Sequence, residues 1–166
     1  MKSIDELLSL CQRPTDYSLD FVERAGSFAQ SFTPCLPFPP YHRTSMDYCA
    51  STTLSYWFDA EFNGVAWADP KGAYRLDFLF SAKADLYTIL SYSPDITRLP
   101  IHWIPDGKVM TIGPLENAIG CVASFMTEQG WEYIEADELR RPATGFLTAL
   151  DGIQASLFDV MFSELA

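Results

Sequence analysis

Two side chains of this sequence could support nucleophilic catalysis, Cys49 and His102. A thiol becomes a good nucleophile when a neighbouring base or cation lowers its pKa, and histidine is the usual base. Cys49 precedes a run of apolar residues, and His102 lies in a predicted strand beside the turn Asp106-Gly107. These residues define one enzymatic hypothesis, a hydrolase with Cys49 as nucleophile and His102 as base.

This order, a cysteine followed by a histidine on a sheet, resembles that of the NlpC/P60-type papain-like peptidases. The resemblance implies a D-C-S-G pattern and a helix that begins at the cysteine. Here Tyr48 precedes Cys49, Ala50-Ser51 follows it, and the alternation after Cys49 predicts a strand instead. We therefore favour a half-buried cysteine and an outward histidine without catalytic roles, and keep the hydrolase as the alternative.

Metal and cofactor motifs give no comparable hypothesis. Cys35, His42 and Cys49 follow one another at intervals of seven residues, whereas zinc sites prefer close pairs that place two ligands on one tight turn. Sequence patterns for nucleotide-binding loops and for zinc or serine hydrolases are also missing. We predict neither a metal nor a cofactor.

Carboxylates are abundant and could act in pairs. Asp59 and Glu61 are predicted to share one face of a strand, with Asp77 exposed on a neighbouring strand. Glycosidase or divalent-metal chemistry needs such acids at a concave centre. On a sheet face we expect them to be solvated and available to a partner.

The formal net charge is −11, from 22 acidic and 11 basic residues. Such a surface disfavours nucleic acids and anionic membranes and favours a basic protein partner. No Lys or Arg occurs between Lys108 and Arg140, and residues 114–166 carry nine acids against two arginines. The acidity is thus concentrated near the C-terminus, which can mark a face for a cationic partner or the polar side of ordinary helices.

These observations favour a non-enzymatic binding protein, a cytoplasmic inhibitor that neutralises a basic protein such as a toxin. In general type it resembles the immunity proteins of bacterial toxin systems; an alternative is a phage-type adaptor or inhibitor that mimics nucleic acid. The predicted partner-binding residues combine acids with one aromatic anchor: Trp57, Asp59, Glu61, Glu132, Glu135, Asp137 and Glu138.

Targeting signals and cysteine usage indicate the compartment. The N-terminus lacks the apolar core of a signal peptide, and no stretch approaches the ~20 apolar residues of a membrane span. Four irregularly spaced cysteines are expected to be free thiols, mostly buried. We predict one cytoplasmic domain spanning residues 1–166.

The elements that must position these residues follow from periodicity. Capping signals predict helices after Ser3 and Ser18, and four prolines predict an extended connector over residues 33–41. Alternating or apolar runs predict strands at 54–62, 65–68, 74–80, 86–93, 99–104, 109–112 and 131–135. Further helices are predicted from Pro114 to Gly130 and from Asp151 onward, with Gln154 in the capping pair. The sum is an α+β fold: an antiparallel meander of about six to seven strands, with two N-terminal and two C-terminal helices packed on it.

Overall fold

The computed structural model describes residues 2–43, 49–65, 73–92 and 113–163. The helices within these ranges are α1 (Ile4–Cys11), α2 (Leu19–Ser31), α3 (Gly113–Glu128), α4 (Ala136–Leu139) and α5 (Leu157–Met161). The strands are β1 (Tyr41–Arg43), β2 (Ser51–Phe58), β3 (Tyr74–Ser81), β4 (Leu86–Tyr92), β5 (Glu132–Tyr133), β6 (Pro142–Leu147) and β7 (Gln154–Ser156). The α+β class is confirmed, as are the two N-terminal helices.

The first helix begins where its capping signal predicts. The Glu6 amide donates to Ser3 Oγ at 3.3 Å, and the Ser3 amide donates to the Glu6 carboxylate at 2.7 Å. These two bonds satisfy amide groups that have no partner within the first turn. Ser18 caps α2 in the same way through the Phe21 amide.

The main sheet has the order β1-β2-β3-β4-β5. Its first four strands are antiparallel neighbours, so the antiparallel character of this part of the sheet is confirmed. The predicted strand order is not, because β2 pairs directly with β3 and β1 was not predicted as a strand. Residues 66–68 of the strand predicted at 65–68 lie outside the described residues. The fifth strand instead joins β4 in parallel, because the connection that contains α3 is long enough to bring the chain back to the same end of the sheet. The predicted strands at 99–104 and 109–112 lie outside the described residues.

The C-terminal part differs from the prediction of one long helix starting at Asp151. Residues 148–153 form a turn between β6 and β7, which make a separate two-stranded sheet. Gly152 has a φ of 68° there, a conformation that does not continue a right-handed helix. The short helix α5 begins later, with Ser156 and Asp159 forming its capping box.

Helices cover both faces of the main sheet. On one face α2 and α3 pack against a strongly aromatic cluster that includes Phe28, Phe78 and Trp131. On the other face α1, α5 and the base of the β6–β7 hairpin pack against the apolar residues of β3 and β4. Most of the described aromatic rings are therefore core residues.

A disulfide bond corrects the prediction that all four cysteines are free thiols. Cys35, just after α2, is bonded to Cys121 of α3, and their Cα atoms are 5.7 Å apart. Cys11 and Cys49 keep their thiol groups. The bond joins the two helices that cover the aromatic face of the sheet.

The proline-rich segment contributes one ring to the edge of the core, as a stiff connector does. Phe38 packs on Tyr56 and Phe62 with ring centroids 6.0 and 5.3 Å away. An Asn-Gly pair is typical of tight turns with positive φ, but after β2 the positive φ of 64° lies on Phe62 and not on Asn63 or Gly64. Gly64 is instead required by space, because a Cβ there would lie 2.4 Å from Phe38 Cβ.

The change Gly64→Ala is expected to lower the free energy of unfolding by about 1–3 kcal/mol, because Phe38 must move to admit the methyl group. Gly120→Ala is the matched control. Gly120 lies inside α3, and apart from the adjacent backbone of that helix no described atom lies within 4 Å of the point that an added methyl group would occupy, so the change should stabilise the protein by about 0.5–1 kcal/mol. Urea unfolding of both variants measures the two changes in the free energy of unfolding. If both variants are stabilised, or both are destabilised, the predicted contrast between the two glycines is wrong.

Candidate functional site

The acidic segment, residues 132–138, comprises the edge strand β5 and the residues that follow it into α4. Glu135 and Asp137 are exposed and Glu138 is half-buried. Glu132 accepts from Lys2 Nζ, and Asp137 lies 3.8 Å from Arg140. Glu135 and Glu138 form no ion pair within the described residues. The segment therefore presents negative charge that Lys2 and Arg140 offset only in part.

Asp59 and Glu61 do not lie on a sheet face, because β2 ends at Phe58. The Asp59 carboxylate accepts from the amides of Glu61 and Asn63, each at 2.9 Å. The hydrogen bond from the Asn63 amide is the main reason that the pKa of Asp59 lies below its usual value. Asp59 thus shapes a turn, while Glu61 points to solvent; their predicted roles toward a partner stay predictions.

Trp57 was predicted to be an exposed anchor, but it is half-buried. Its ring lies 5.5 Å from the Arg75 guanidinium, and its indole nitrogen is buried without an acceptor among the described residues. The cause is a neighbour on the adjacent strand: Arg75 of β3 lies beside the ring and covers part of it.

Asp77 was predicted to be exposed, and this too is wrong. The residue is 5% exposed, and its carboxylate lies 2.9 Å from Arg75 Nη2. The same guanidinium lies 3.9 Å from the centroid of the Tyr92 ring. Burial, with a smaller contribution from the Asp77 charge, raises the pKa of Tyr92 to about 12. Arg75 and Asp77 are two positions apart in β3, so the sequence predicts that they share one face of the strand. It does not predict that other parts of the chain bury Asp77 on that face.

The proposed catalytic pair is not brought together within the described residues. Cys49 is half-buried and lies immediately before β2, not at a helix N-terminus. The arrangement therefore differs from that of the papain-like peptidases, in which the cysteine lies at the N-terminus of a helix. His102 lies outside the described residues, as does the side chain of His42. The described ranges contain no cluster of His, Cys, Asp and Glu side chains suited to a metal ion.

An apolar surface that periodicity did not predict lies at the end of the β6–β7 hairpin. We define the hairpin tip as residues 147–153. Leu147, Leu150 and Ile153 are 59%, 89% and 60% exposed. The spacing of apolar residues assigned Ile153 to a helix that faced the core, so it gave no reason to expect these side chains in solvent.

One open pocket of about 350 Å³ lies between the end of α1, the start of α2 and the β3–β4 turn. It is lined by Arg13, Arg24 and Lys83 together with two aspartates. Lys83 donates to the carbonyl oxygens of Cys11 and Arg13, and Arg24 pairs with Asp85 at 2.9 Å. Two of the three cations therefore already have partners within the protein.

Among the described residues, no helix combines the length and the apolar character that crossing a bilayer requires. A comparison of the chain with models of protein families, with curated proteins and with solved structures finds no match.

Proposed function

We propose that this chain is a non-enzymatic acidic binding protein of the inhibitor or immunity type, which neutralises a basic protein partner such as a toxin in the cytoplasm. The exposed acidic segment, residues 132–138, is the observation that carries the proposal. Its side chains follow an edge strand, and Glu135 and Asp137 are exposed. They are therefore accessible to a cationic surface without any rearrangement of the fold.

The electrostatics of the whole chain support the same proposal. A net charge of −11 raises the local concentration of a basic partner and speeds its encounter. The acidic segment then gives that encounter a direction, because four of the nine acids of residues 114–166 fall within its seven positions. Since exposed charges are screened beyond about 8–10 Å at physiological salt, the association should be salt-sensitive.

The test begins with capture of the partner from an extract of the native host at low salt, followed by its identification and purification. Binding of the purified protein is then measured kinetically as a function of salt. The variant Glu135→Gln/Asp137→Asn/Glu138→Gln is expected to lower the association rate constant about tenfold and to flatten its salt dependence.

A matched control changes the same number of charges elsewhere. Glu23→Gln/Glu116→Gln/Glu128→Gln removes three exposed acids from α2 and α3 and should have a much smaller effect, because only the general field changes. Failure to capture any stoichiometric basic protein at low salt would contradict the proposed function. An equal effect of the two triple variants would assign binding to net charge alone.

A further inference from the structure

The two cysteines of the Cys35–Cys121 disulfide differ in their access to solvent. Cys121 lies on the outward side of α3 and is exposed, whereas Cys35, just after α2, is half-buried. A thiolate opens a disulfide by attacking one of its two sulfur atoms, and access helps to decide which sulfur reacts. An attacking thiolate therefore reaches Cys121, with Cys35 as the leaving group.

The two helices joined by the bond are also held together by contacts that do not depend on it. The ring centroid of Phe125 in α3 lies 5.9 Å from that of Phe28 and 5.8 Å from that of Phe32. Val122 and Met126 of α3 are fully buried in the same aromatic cluster. Opening the bond therefore leaves both helices packed on the sheet.

The backbone around Cys35 is likewise fixed by its own contacts. The amides of Cys35 and Leu36 both donate to the Phe32 carbonyl, at 2.9 and 2.7 Å, and Leu36 is buried. The two cysteines, whose Cα atoms are 5.7 Å apart in the bonded protein, thus stay close together after reduction. Such proximity gives the thiols a high effective concentration, so oxidation restores the same bond.

This proximity also selects the class of reductant. A monothiol that attacks Cys121 forms a mixed disulfide, which the neighbouring Cys35 thiol reverses by attacking it in turn. A dithiol instead resolves the mixed disulfide with its own second sulfur. The disulfides that do occur in the cytosol of mesophiles are usually transient and catalytic or redox-sensing, and an exposed, reversible bond fits the redox-sensing kind.

We propose that the Cys35–Cys121 bond is a redox switch of stability, which a dithiol reductant opens in the folded protein by attack on Cys121. One sulfur of the dithiol bonds to Cys121 Sγ as the protein disulfide breaks, and the electron pair of that bond and a proton go to Cys35 Sγ. The second sulfur then closes a disulfide within the reductant and releases Cys121 as a thiol. The dithiol loses two electrons and the protein gains two. Both forms keep the fold and differ in their resistance to unfolding, whatever partner the protein binds.

The first measurement is the reduction kinetics of the oxidised full chain with dithiothreitol, followed by rapid alkylation and mass spectrometry. Attack on the folded protein predicts a rate that is proportional to the dithiothreitol concentration and nearly the same in about 1 M urea. A route through global unfolding predicts an increase of about tenfold or more, because urea raises the unfolded fraction exponentially, and this result would overturn the proposal. Equal reduction by glutathione at the same thiol concentration would overturn the requirement for a dithiol.

A matched pair of variants tests which sulfur is attacked. Cys35→Ala and Cys121→Ala both lack the bond, and each keeps one of the two thiols. Iodoacetamide is expected to label Cys121 in the first variant about tenfold faster than Cys35 in the second, as read from the masses of the corresponding peptides. Equal labelling rates would contradict attack at Cys121.

The existence of two folded forms has its own test. The near-ultraviolet circular dichroism of the reduced protein at room temperature is expected to match that of the oxidised protein, because the aromatic cluster stays packed, while the melting temperature falls. If reduction alone removes the aromatic signal, the bond is required for folding and the proposed switch does not exist.

Discussion

Reduction of the Cys35–Cys121 disulfide is expected to lower the free energy of unfolding by about 4–5 kcal/mol. The bond closes a loop of 86 residues, and a cross-link of that span removes this much conformational entropy from the unfolded chain in the loop-closure treatment. For a domain of this size the corresponding fall in melting temperature is about 10–15 °C.

Thermal unfolding with and without a phosphine reductant measures this effect. The double variant Cys35→Ala/Cys121→Ala should melt near the temperature of the reduced protein and should not respond to the reductant. That second comparison is the control, because the variant retains the thiols of Cys11 and Cys49. Identical melting curves for the oxidised and reduced original protein would show that the bond contributes nothing to stability.

The Cys35–Cys121 disulfide also makes a statement about the cellular compartment in which the protein works testable. Structural disulfides persist in oxidising compartments and are rare in the cytosol of mesophiles. Cytoplasmic location stays a prediction, and alkylation of thiols in freshly lysed host cells tests it. If Cys35 and Cys121 are found modified as thiols, the protein works in the cell with the bond open and with correspondingly lower stability.

Local signals in the sequence were sufficient for the elements whose cause is local. Ser3 and Glu6 cap α1 because their side chains bond to amides within four residues. The alternation of Leu54, Tyr56 and Phe58 gave the face of β2 that lies in the aromatic core. Both cases depend on short-range geometry with a fixed period, which a single sequence displays directly.

Features that depend on distant parts of the chain were not predictable in this way. The parallel pairing of β5 with β4, through Leu86 and Glu132, depends on the path taken by the connection and by α3. The disulfide joins Cys35 and Cys121 across 86 positions, and irregular spacing gave no sign of it. Periodicity also reports which side chains share a face, but not whether that face is covered, so Asp77 was placed in solvent.

In the candidate site, too, the features with a local cause could be predicted and those that depend on the three-dimensional fold could not. Composition identified the acidic segment, because counts of charge along the chain need no three-dimensional information. The hairpin tip could not be predicted from periodicity, because the spacing of Ile153, Leu157 and Met161 also fits one helical face. The pair Asp151-Gly152 is the sequence signal for this turn, because Asp-Gly favours turns with positive φ, and Gly152 has a φ of 68°.

The change Asp77→Ala is expected to lower the free energy of unfolding by about 3–5 kcal/mol. It removes a carboxylate that is 5% exposed and leaves the guanidinium of Arg75 without this partner in a largely covered position. The Arg75 side chain is only 25% exposed, so water replaces the lost ion pair poorly. The Tyr92 ring, 3.9 Å from the guanidinium, stabilises the cation only in part.

A comparison with an exposed ion pair separates burial from simple pairing. Asp85 and Arg24 are linked at the same 2.9 Å, but their side chains are 57% and 54% exposed, so Asp85→Ala should cost less than about 1 kcal/mol. The double change Arg75→Met/Asp77→Leu is expected to recover most of the loss, because it removes both buried charges together. Urea unfolding of the three variants measures these differences. If Asp77→Ala and Asp85→Ala lower the free energy of unfolding by the same amount, burial does not strengthen the Arg75–Asp77 ion pair, and the prediction is wrong.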